Sequence, residues 1–369
     1  MAAAPAIPFN DLSRGVAELR DELDAAVARV FDSGWFVLGE EGAAFERELA
    51  AVAGSVHAVG VGSGTDAIEL ALRTLGLEPG DEVVTQANTC VPTVAAIERA
   101  GATPVLCDAE PAAGTMDPES LAGALGERTR AVVPVHLYGQ CADTDAIAEV
   151  CFERGVAVVE DCAQAVGATL RGRPAGTIGV LGCLSFYPTK NLGALGDGGA
   201  VITDDAALDE RLRLVRQYGQ ADRYRHVTEG VNSRLDELQA ALLRTRLPHL
   251  ERWTERREQI AVAYTDALAE EPVRPLAQLP ERRHVFHLFV VEAPDRAVLQ
   301  AHLAERGIST LVHYPTPVHK HPPYARLADG PVPLTVSEHL CEHILSLPMY
   351  PELSDAEVER VAEALRAFA

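Results

Sequence analysis

The chain has 369 residues, of which 47% are hydrophobic and 23% are charged, and its formal net charge is −22. This composition predicts a globular protein with the length of about two domains, and its acidity excludes nucleic acid and anionic membranes as expected partners. No apolar run approaches the ~20 residues of a membrane span, and the start of the chain lacks a signal-peptide pattern. The seven cysteines include no CxxC pair, which predicts reduced thiols, no metal site and a cytoplasmic location.

The first part of the chain predicts helices followed by a phosphate-binding turn. Apolar residues recur at helical spacing through residues 10–55. A strand at His57–Val61 then leads through the glycine-rich turn 62–64 into a helix that begins at Thr65. Such a turn offers free backbone N–H groups and the positive end of a helix dipole, which suits a phosphate. Neither common nucleotide-binding signature is present, because GxGxxG does not fit and the Walker lysine is missing.

Strands and helices then alternate. Strands are predicted at 82–85, 103–108, 131–136 and 156–160, and helices at 93–100 and 144–154. This alternation indicates an α/β fold with a mostly parallel sheet, helices on both faces, and ligands at the carboxyl ends of the strands. Asp161 follows one of these strands, and Gln164 comes three residues later. Asp161 either keeps a pyridine nitrogen protonated or caps the next helix.

Lys190 lies at the centre of the stretch 183–203. The chain has 32 lysines and arginines, and only Lys190 and Lys320 are lysines. A lysine in a chain that otherwise uses arginine indicates a task for a primary amine, such as Schiff-base formation, although a surface charge is the simpler alternative. The apolar run Ser185–Tyr187 precedes it, and desolvation lowers a lysine pKa. Together with the phosphate turn and Asp161, Lys190 indicates pyridoxal phosphate.

The remaining chain predicts a long helix and a smaller domain. A helix at 206–218 is followed by a polar stretch and by a helix that begins at Ser233 with Asp236 as a partial capping box. Its apolar residues offer a face that a dimer could bury: Leu235, Leu238, Ala241, Leu242 and Leu247. Pro248 should end or kink this helix, and the pattern resumes at 251–269.

We divide the chain into a large cofactor-binding domain, residues 1–250, and a small C-terminal α/β domain, residues 251–369. The small domain is predicted to contain strands at 284–293 and 308–314 and helices at 295–306 and 354–368. A proline-rich loop at 315–333 carries Lys320.

Five motifs in order give the chain a family resemblance: GSGTDAIELAL, VVEDCAQAVGA, SFYPTKNLGALGDGGAV, GVNSRLDELQAALL and LVHYPTPVHKHPPY. The chain resembles the fold-type I pyridoxal-phosphate enzymes, and within them the DegT–DnrJ–StrS nucleotide-sugar aminotransferases. The resemblance implies that Lys190 binds the cofactor covalently, Asp161 pairs with its ring nitrogen and Gln164 contacts its ring hydroxyl. It assigns the cofactor phosphate to Gly64, Thr65, Ser185 and, from a partner subunit, Asn232.

The resemblance therefore implies a homodimer with shared active sites. Cys90 stands where the family often has an aromatic residue stacked on the cofactor ring, so the ring packing differs here. The substrate mouth is assigned to Tyr187, His313 and Tyr314. Lys320 either meets the sugar diphosphate or is a solvent-exposed charge.

The implied reaction moves an amino group from an amino acid, by resemblance L-glutamate, to the ketone of a nucleotide-linked deoxysugar. The motif HYPTPVH favours carbon 3 of a dTDP-ketosugar over carbon 4. A sugar dehydratase on the same scaffold is one alternative, and Lys190 argues against it because such relatives carry histidine there. A non-catalytic regulator that binds the cofactor is the other.

Overall fold

The computed structural model describes residues 5–268 and 272–368. Its helices are α1 Leu12–Glu18, α2 Arg20–Ser33, α3 Glu40–Ala53, α4 Gly64–Leu75, α5 Val91–Arg99, α6 Pro118–Ala124, α7 Thr144–Phe152, α8 Ala206–Val215, α9 Glu237–Arg246, α10 Leu250–Ala267, α11 Arg296–Glu305, α12 Thr335–His343 and α13 Asp355–Arg366. Its strands are β1 His57–Val61, β2 Glu82–Gln86, β3 Thr103–Cys107, β4 Thr129–Val133, β5 Ala157–Asp161, β6 Thr169–Leu170, β7 Arg173–Pro174, β8 Leu181–Ser185, β9 Gly199–Thr203, β10 Gln220–Asp222, β11 Arg225–His226, β12 Arg274–Pro275, β13 Arg282–Arg283, β14 Phe289–Glu292 and β15 Ile344–Leu347.

A seven-stranded sheet organises the larger part of the molecule, with strand order β1-β9-β8-β5-β4-β2-β3. Every strand in it runs parallel to the others except β9, which is antiparallel to both of its neighbours. Alternate residues point to opposite faces: Ala131 and Val133 pack with α4 and α8, and Val132 packs with α6 and α7. The sheet is thus buried on both faces, which confirms the predicted α/β class with a mostly parallel sheet.

The C-terminal region forms a second, smaller layer. Strands β12, β14 and β15 make an antiparallel three-stranded sheet. Its core joins α10, α11 and α13 and also takes in Ile7 from the start of the chain, which forms a bridge with Ile308. The segment around Ile7 therefore packs on the small domain, ahead of the helices of the large one. The exact division at residue 250 stays a prediction.

Three sequence predictions about local structure are wrong. The long helix begins at Glu237 rather than Ser233, because the Ser233 hydroxyl donates to Asp66 Oδ2 and accepts from the Gly62 N–H. The strand predicted at 284–293 is limited to β14, and 308–314 forms only single bridges, at Ile308 and Leu311. In both segments the backbone bonds to other parts of the chain, as Val285 N–H does to Gly139.

The apolar face of α9 is also covered within its own chain. Leu242 packs with Leu23 of α2, with Leu19 at the junction of α1 and α2, and with Trp253. Leu235 and Leu247, which flank α9, join the core around α3. Four of the five residues of the predicted face are therefore buried within their own chain, and Leu238 alone is partly buried, so little of this face remains for a partner subunit. Among the helices of the described ranges, none is both long and apolar enough to cross a bilayer.

Candidate active site

A cavity of about 390 Å³ opens where the parallel strands of the central sheet end. The turn after β1 contributes Gly64 and Thr65, the segment after β2 contributes Cys90, and the end of β5 contributes Asp161. Lys190 follows β8, and residues of the small domain close the other side. Because the carboxyl ends of parallel strands meet at one edge of the sheet, residues more than 100 positions apart share this cavity.

Lys190 lies in the loop between β8 and β9. Its backbone N–H donates to the Tyr187 carbonyl at 2.8 Å, and the preceding Phe186 is fully buried. Burial lowers the pKa of the Lys190 amine to about 8, even though the nearby Asp161 carboxylate acts in the opposite direction. The amine is therefore far more available in its neutral, nucleophilic form than an ordinary lysine near neutral pH.

The predicted phosphate site lies at the start of α4. Ser63 is the N-cap residue, and its hydroxyl accepts from the Asp66 N–H at 3.1 Å. A Cβ on Gly64 would lie 2.6 Å from the Ser185 Cβ, so only glycine lets the end of β8 pack this closely on the helix start. Gly64, Thr65 and Ser185 all line the cavity beside the positive end of the α4 helix dipole.

Asp161 is held at the end of β5 by a donor on each carboxylate oxygen. The Thr93 hydroxyl donates to Oδ2 at 2.9 Å, and the Ala163 N–H donates to Oδ1 at 3.1 Å. Burial raises the pKa of this carboxyl, and the two donors and Lys190 oppose that effect. Asp161 does not cap a helix here, since no helix follows β5 directly. A carboxylate with this setting suits a cationic ring nitrogen.

Gln164 is oriented by a residue that the sequence did not point to. Its Oε1 accepts from the Tyr138 N–H at 2.6 Å, so its amide nitrogen is the group turned to the Tyr314 hydroxyl, at 3.2 Å. Tyr138 has the left-handed backbone conformation, with φ of 64°, and its own hydroxyl donates to the His313 carbonyl at 2.7 Å. Tyr138 therefore connects Gln164 with the small domain. No sequence signal marks a tyrosine for this position.

Two histidines of the small domain line the cavity. His313 was predicted from its motif, whereas His287 was missed because it lies in a segment that resembles an ordinary strand. His287 Nδ1 lies 3.2 Å from Asn191 Oδ1, next to Lys190 in the chain. Burial lowers the pKa of His287 well below its usual range, and burial together with Lys190 lowers that of His313 to about 4. Both rings are therefore neutral near pH 7.

Cys90 and Tyr187 also line the cavity. Burial raises the pKa of the Cys90 thiol, and its interaction with the Tyr314 hydroxyl opposes that effect. A protonated thiol is therefore present where the sequence comparison expects an aromatic ring. Tyr187 remains 54% exposed, so its side chain is accessible at the mouth.

Asn232 and Lys320 lie outside the lining of this cavity. Asn232 is exposed, and its backbone forms a bridge with Gln217. Lys320 is paired with Glu338, with its Nζ 2.8 Å from Oε2, and its side chain is 45% exposed. Within a single chain, Asn232 and Lys320 are therefore the two predicted site residues that do not line the cavity with the other predicted residues.

One buried cluster in the described ranges has metal-ligand composition: His136, Glu160 and Cys162. The Glu160 carboxylate accepts from His136 Nε2 at 2.8 Å and from the N–H groups of residues 176, 178 and 179. His136 Nδ1 accepts from the Ala142 N–H. These lone pairs are already engaged, so the cluster is a hydrogen-bond network that fixes the loop before β8.

The residues around the cavity fit pyridoxal phosphate. The structure offers an amine with a lowered pKa, a buried carboxylate with lone pairs to spare, an oriented amide and an N–H cradle for a phosphate. These match the aldehyde, ring nitrogen, ring hydroxyl and phosphate of that cofactor. The roles of the individual residues stay predictions.

Comparison with known proteins agrees. Residues 17–366 match the model of the DegT/DnrJ/EryC1/StrS aminotransferase family. The chain is 48% identical to the dTDP-3-amino-3,4,6-trideoxy-α-D-glucose transaminase of Streptomyces venezuelae, covering 100% of this chain and 97% of the relative. It is 42% identical to the UDP-N-acetyl-3-dehydro-α-D-glucosamine 3-aminotransferase of Acidithiobacillus ferrooxidans, covering 99% of each.

A solved structure is similar to this chain in both sequence and fold. The crystal structure of S. venezuelae DesV in complex with a ketimine intermediate superposes with a TM-score of 0.96 at 47% identity, covering 99% of each chain. The agreement over the whole length, together with Lys190, favours an aminotransferase over the dehydratase and regulator alternatives. The chain belongs to the DegT/DnrJ/EryC1/StrS aminotransferase family, whose members use pyridoxal 5′-phosphate as their cofactor.

Proposed function

We propose that this protein transfers the amino group of L-glutamate to the carbon 3 ketone of a dTDP-linked deoxysugar. The observation that carries the proposal is the cavity itself, which places an amine with a pKa of about 8 opposite a buried carboxylate and beside a phosphate cradle. Bound pyridoxal phosphate supplies a carbon that accepts and releases nitrogen and a ring that withdraws electrons.

The residues of the chain divide the work around that group. Lys190 would hold the cofactor covalently through its amine and, when that amine is free, would move a proton as general base and acid. Asp161 keeps the ring nitrogen protonated, and Gln164 binds the ring hydroxyl through its amide N–H. The neutral rings of His287 and His313 line the cavity without adding a charge that would repel Lys190.

Carbon 3 is supported by the relatives. The names of the two relatives described above both place the amino group at carbon 3, although one sugar carries dTDP and the other UDP. The dTDP relative is the more similar, at 48% against 42% identity. The two relatives therefore agree on carbon 3 as the position of the amino group and differ in the nucleotide that the sugar carries.

We also propose a homodimer with shared active sites. Asn232 is exposed and lies outside the cavity of its own chain. Trp35 and Phe36 are also exposed, at 61% and 50%, in the segment whose Phe36 carbonyl accepts from the Glu237 N–H. Among the described residues that line the cavity, Lys190 is the only lysine and none is arginine. A partner chain that brings cations would supply the charge that a nucleotide diphosphate requires.

A cytoplasmic location completes the proposal. All seven cysteines are free thiols, which fits a reducing compartment.

The test is a substrate panel. The holoenzyme is incubated with glutamate and 3-keto or 4-keto sugars linked to dTDP or UDP, with Lys190→Ala as the inactive control. Mass spectrometry detects amination, and NMR of the product locates the nitrogen. We expect the dTDP-linked 3-keto sugar to be aminated most rapidly. Amination of 4-keto sugars alone would overturn the assignment to carbon 3.

A further inference from the structure

A chain of two buried hydroxyls leads from the cavity wall to Asp161. Thr93 Oγ1 lies 2.9 Å from Asp161 Oδ2, and Thr89 Oγ1 lies 3.0 Å from Thr93 Oγ1. Thr89 is 1% exposed and Thr93 is 2% exposed, and both side chains border the cavity. Neither was singled out by the sequence motifs, because threonine is common at the start of a helix such as α5.

The direction of these hydrogen bonds follows from the chemistry of the acceptor. An ionised carboxylate can only accept, so the Thr93 hydroxyl donates to Asp161. The oxygen of Thr93 is then free to accept, and Thr89 becomes the donor to it. Each bond in such a chain polarises the next, so the hydroxyl that reaches Asp161 is a stronger donor than an isolated one.

The chain offsets the cost of burying a carboxylate. Asp161 is only 3% exposed, and it has no other side-chain donor in the described structure besides Thr93. The remaining donor, the Ala163 N–H, serves the other oxygen at 3.1 Å. Loss of the Thr93 hydroxyl would leave Oδ2 without a hydrogen bond and make the carboxylate a stronger base.

We propose that Thr93, supported by Thr89, is a positioning residue that keeps Asp161 ionised and thereby keeps the shared proton on the cofactor ring nitrogen rather than on the carboxylate. The inference rests on the assignment of the ring nitrogen to Asp161. Its consequence is that a residue without contact to the reacting carbon controls how strongly the ring withdraws electrons.

The experiment reads the proton directly. Wild-type holoenzyme and the variants Thr93→Val, Thr93→Ala, Thr93→Ser and Thr89→Val are loaded with cofactor labelled with ¹⁵N in the ring. The ¹⁵N chemical shift separates a protonated from a neutral ring nitrogen. Thr93→Val is close to isosteric, Thr93→Ala provides a second hydroxyl deletion, and Thr93→Ser retains the donor as the matched control.

We expect the wild-type and Thr93→Ser signals to be those of a protonated ring. Those of Thr93→Val and Thr93→Ala should move towards neutral pyridine, and that of Thr89→Val should move less in the same direction. The loss of one hydrogen bond to a charged group predicts a decrease in kcat of about tenfold in Thr93→Val, with KM nearly unchanged.

The outcomes are distinct. A protonated ring in every variant would overturn the role of Thr93 while leaving the role of Asp161 intact. A neutral ring in the wild type would overturn both, because Asp161 would then not hold a protonated nitrogen. Equal shifts in Thr93→Ser and Thr93→Val would show that packing rather than the hydroxyl is responsible, and would also overturn the proposal.

Discussion

Replacing Lys190 with methionine should stabilise the cofactor-free protein at neutral pH, because the folded state then no longer holds a partly desolvated ammonium group. Burial lowers the pKa of Lys190 from 10.5 to about 8. At about 1.4 kcal/mol for each pH unit, this corresponds to at most about 3 kcal/mol of destabilisation by the charged amine. The side chain is only partly buried, and solvent screening reduces that value, so we expect a gain of roughly 1–3 kcal/mol in the free energy of unfolding.

The sign of the pH dependence follows from proton binding. Between pH 8 and 10.5 the unfolded chain binds more protons at Lys190 than the folded chain does, so the stability of the wild type rises with pH in this window. The advantage of Lys190→Met is thus fully present below pH 8 and disappears towards pH 10.5. Urea denaturation of both cofactor-free proteins at several pH values measures it, since titrating groups that do not interact with Lys190 cancel in the difference.

Lys320 provides the matched control. It is exposed and paired with Glu338, which raises its pKa, so Lys320→Met should bring no gain at neutral pH. Reductive ¹³C-methylation gives an independent measurement, because only two lysine side chains exist in the sequence and each can be titrated by NMR. An advantage of Lys190→Met that does not change with pH, or a Lys190 signal that titrates above Lys320, would refute the reasoning.

Three further predictions concern the predicted site residues. Borohydride reduction of the holoenzyme followed by peptide mapping should place the cofactor on Lys190; a label on Lys320 would contradict the assignment. Asp161→Asn should bind cofactor and fold normally but lose turnover by about 10²-fold or more, through loss of the protonated ring nitrogen; near-normal kcat would show that the carboxylate is structural. Mixing inactive Lys190→Ala and Asn232→Ala subunits under exchange should restore part of the activity, because one site of a heterodimer then carries neither defect. If demonstrated heterodimers regain nothing, Asn232 serves its own chain's site.

The sequence determined the class of the fold and the identity of the central chemical groups. Alternating strands and helices allow few arrangements other than a parallel sheet covered on both faces, and parallel strands bring their carboxyl ends to one edge. Asp161, Gly64 and Lys190 follow three of these strands, so their meeting at one cavity could be predicted before any coordinates were known. The scarcity of lysine also identified Lys190 from the sequence alone. That argument depends only on the chemistry of one side chain and requires no knowledge of its tertiary contacts.

Only the tertiary structure decided which partner each polar or apolar group takes. Ser233 has the residue type of a helix cap, yet its hydroxyl bonds to Asp66 and Gly62, which no local pattern specifies. The apolar face of α9 was visible as a periodicity, but a periodicity does not say whether a helix of the same chain or a second subunit covers that face. Thr93 and Tyr138 act through contacts to Asp161 and Gln164 across 68 and 26 positions of the chain. Such contacts depend on how the loops at the sheet edge fold over one another, because hydrogen bonds between distant residues are selected by the geometry of packing and not by the residue types alone.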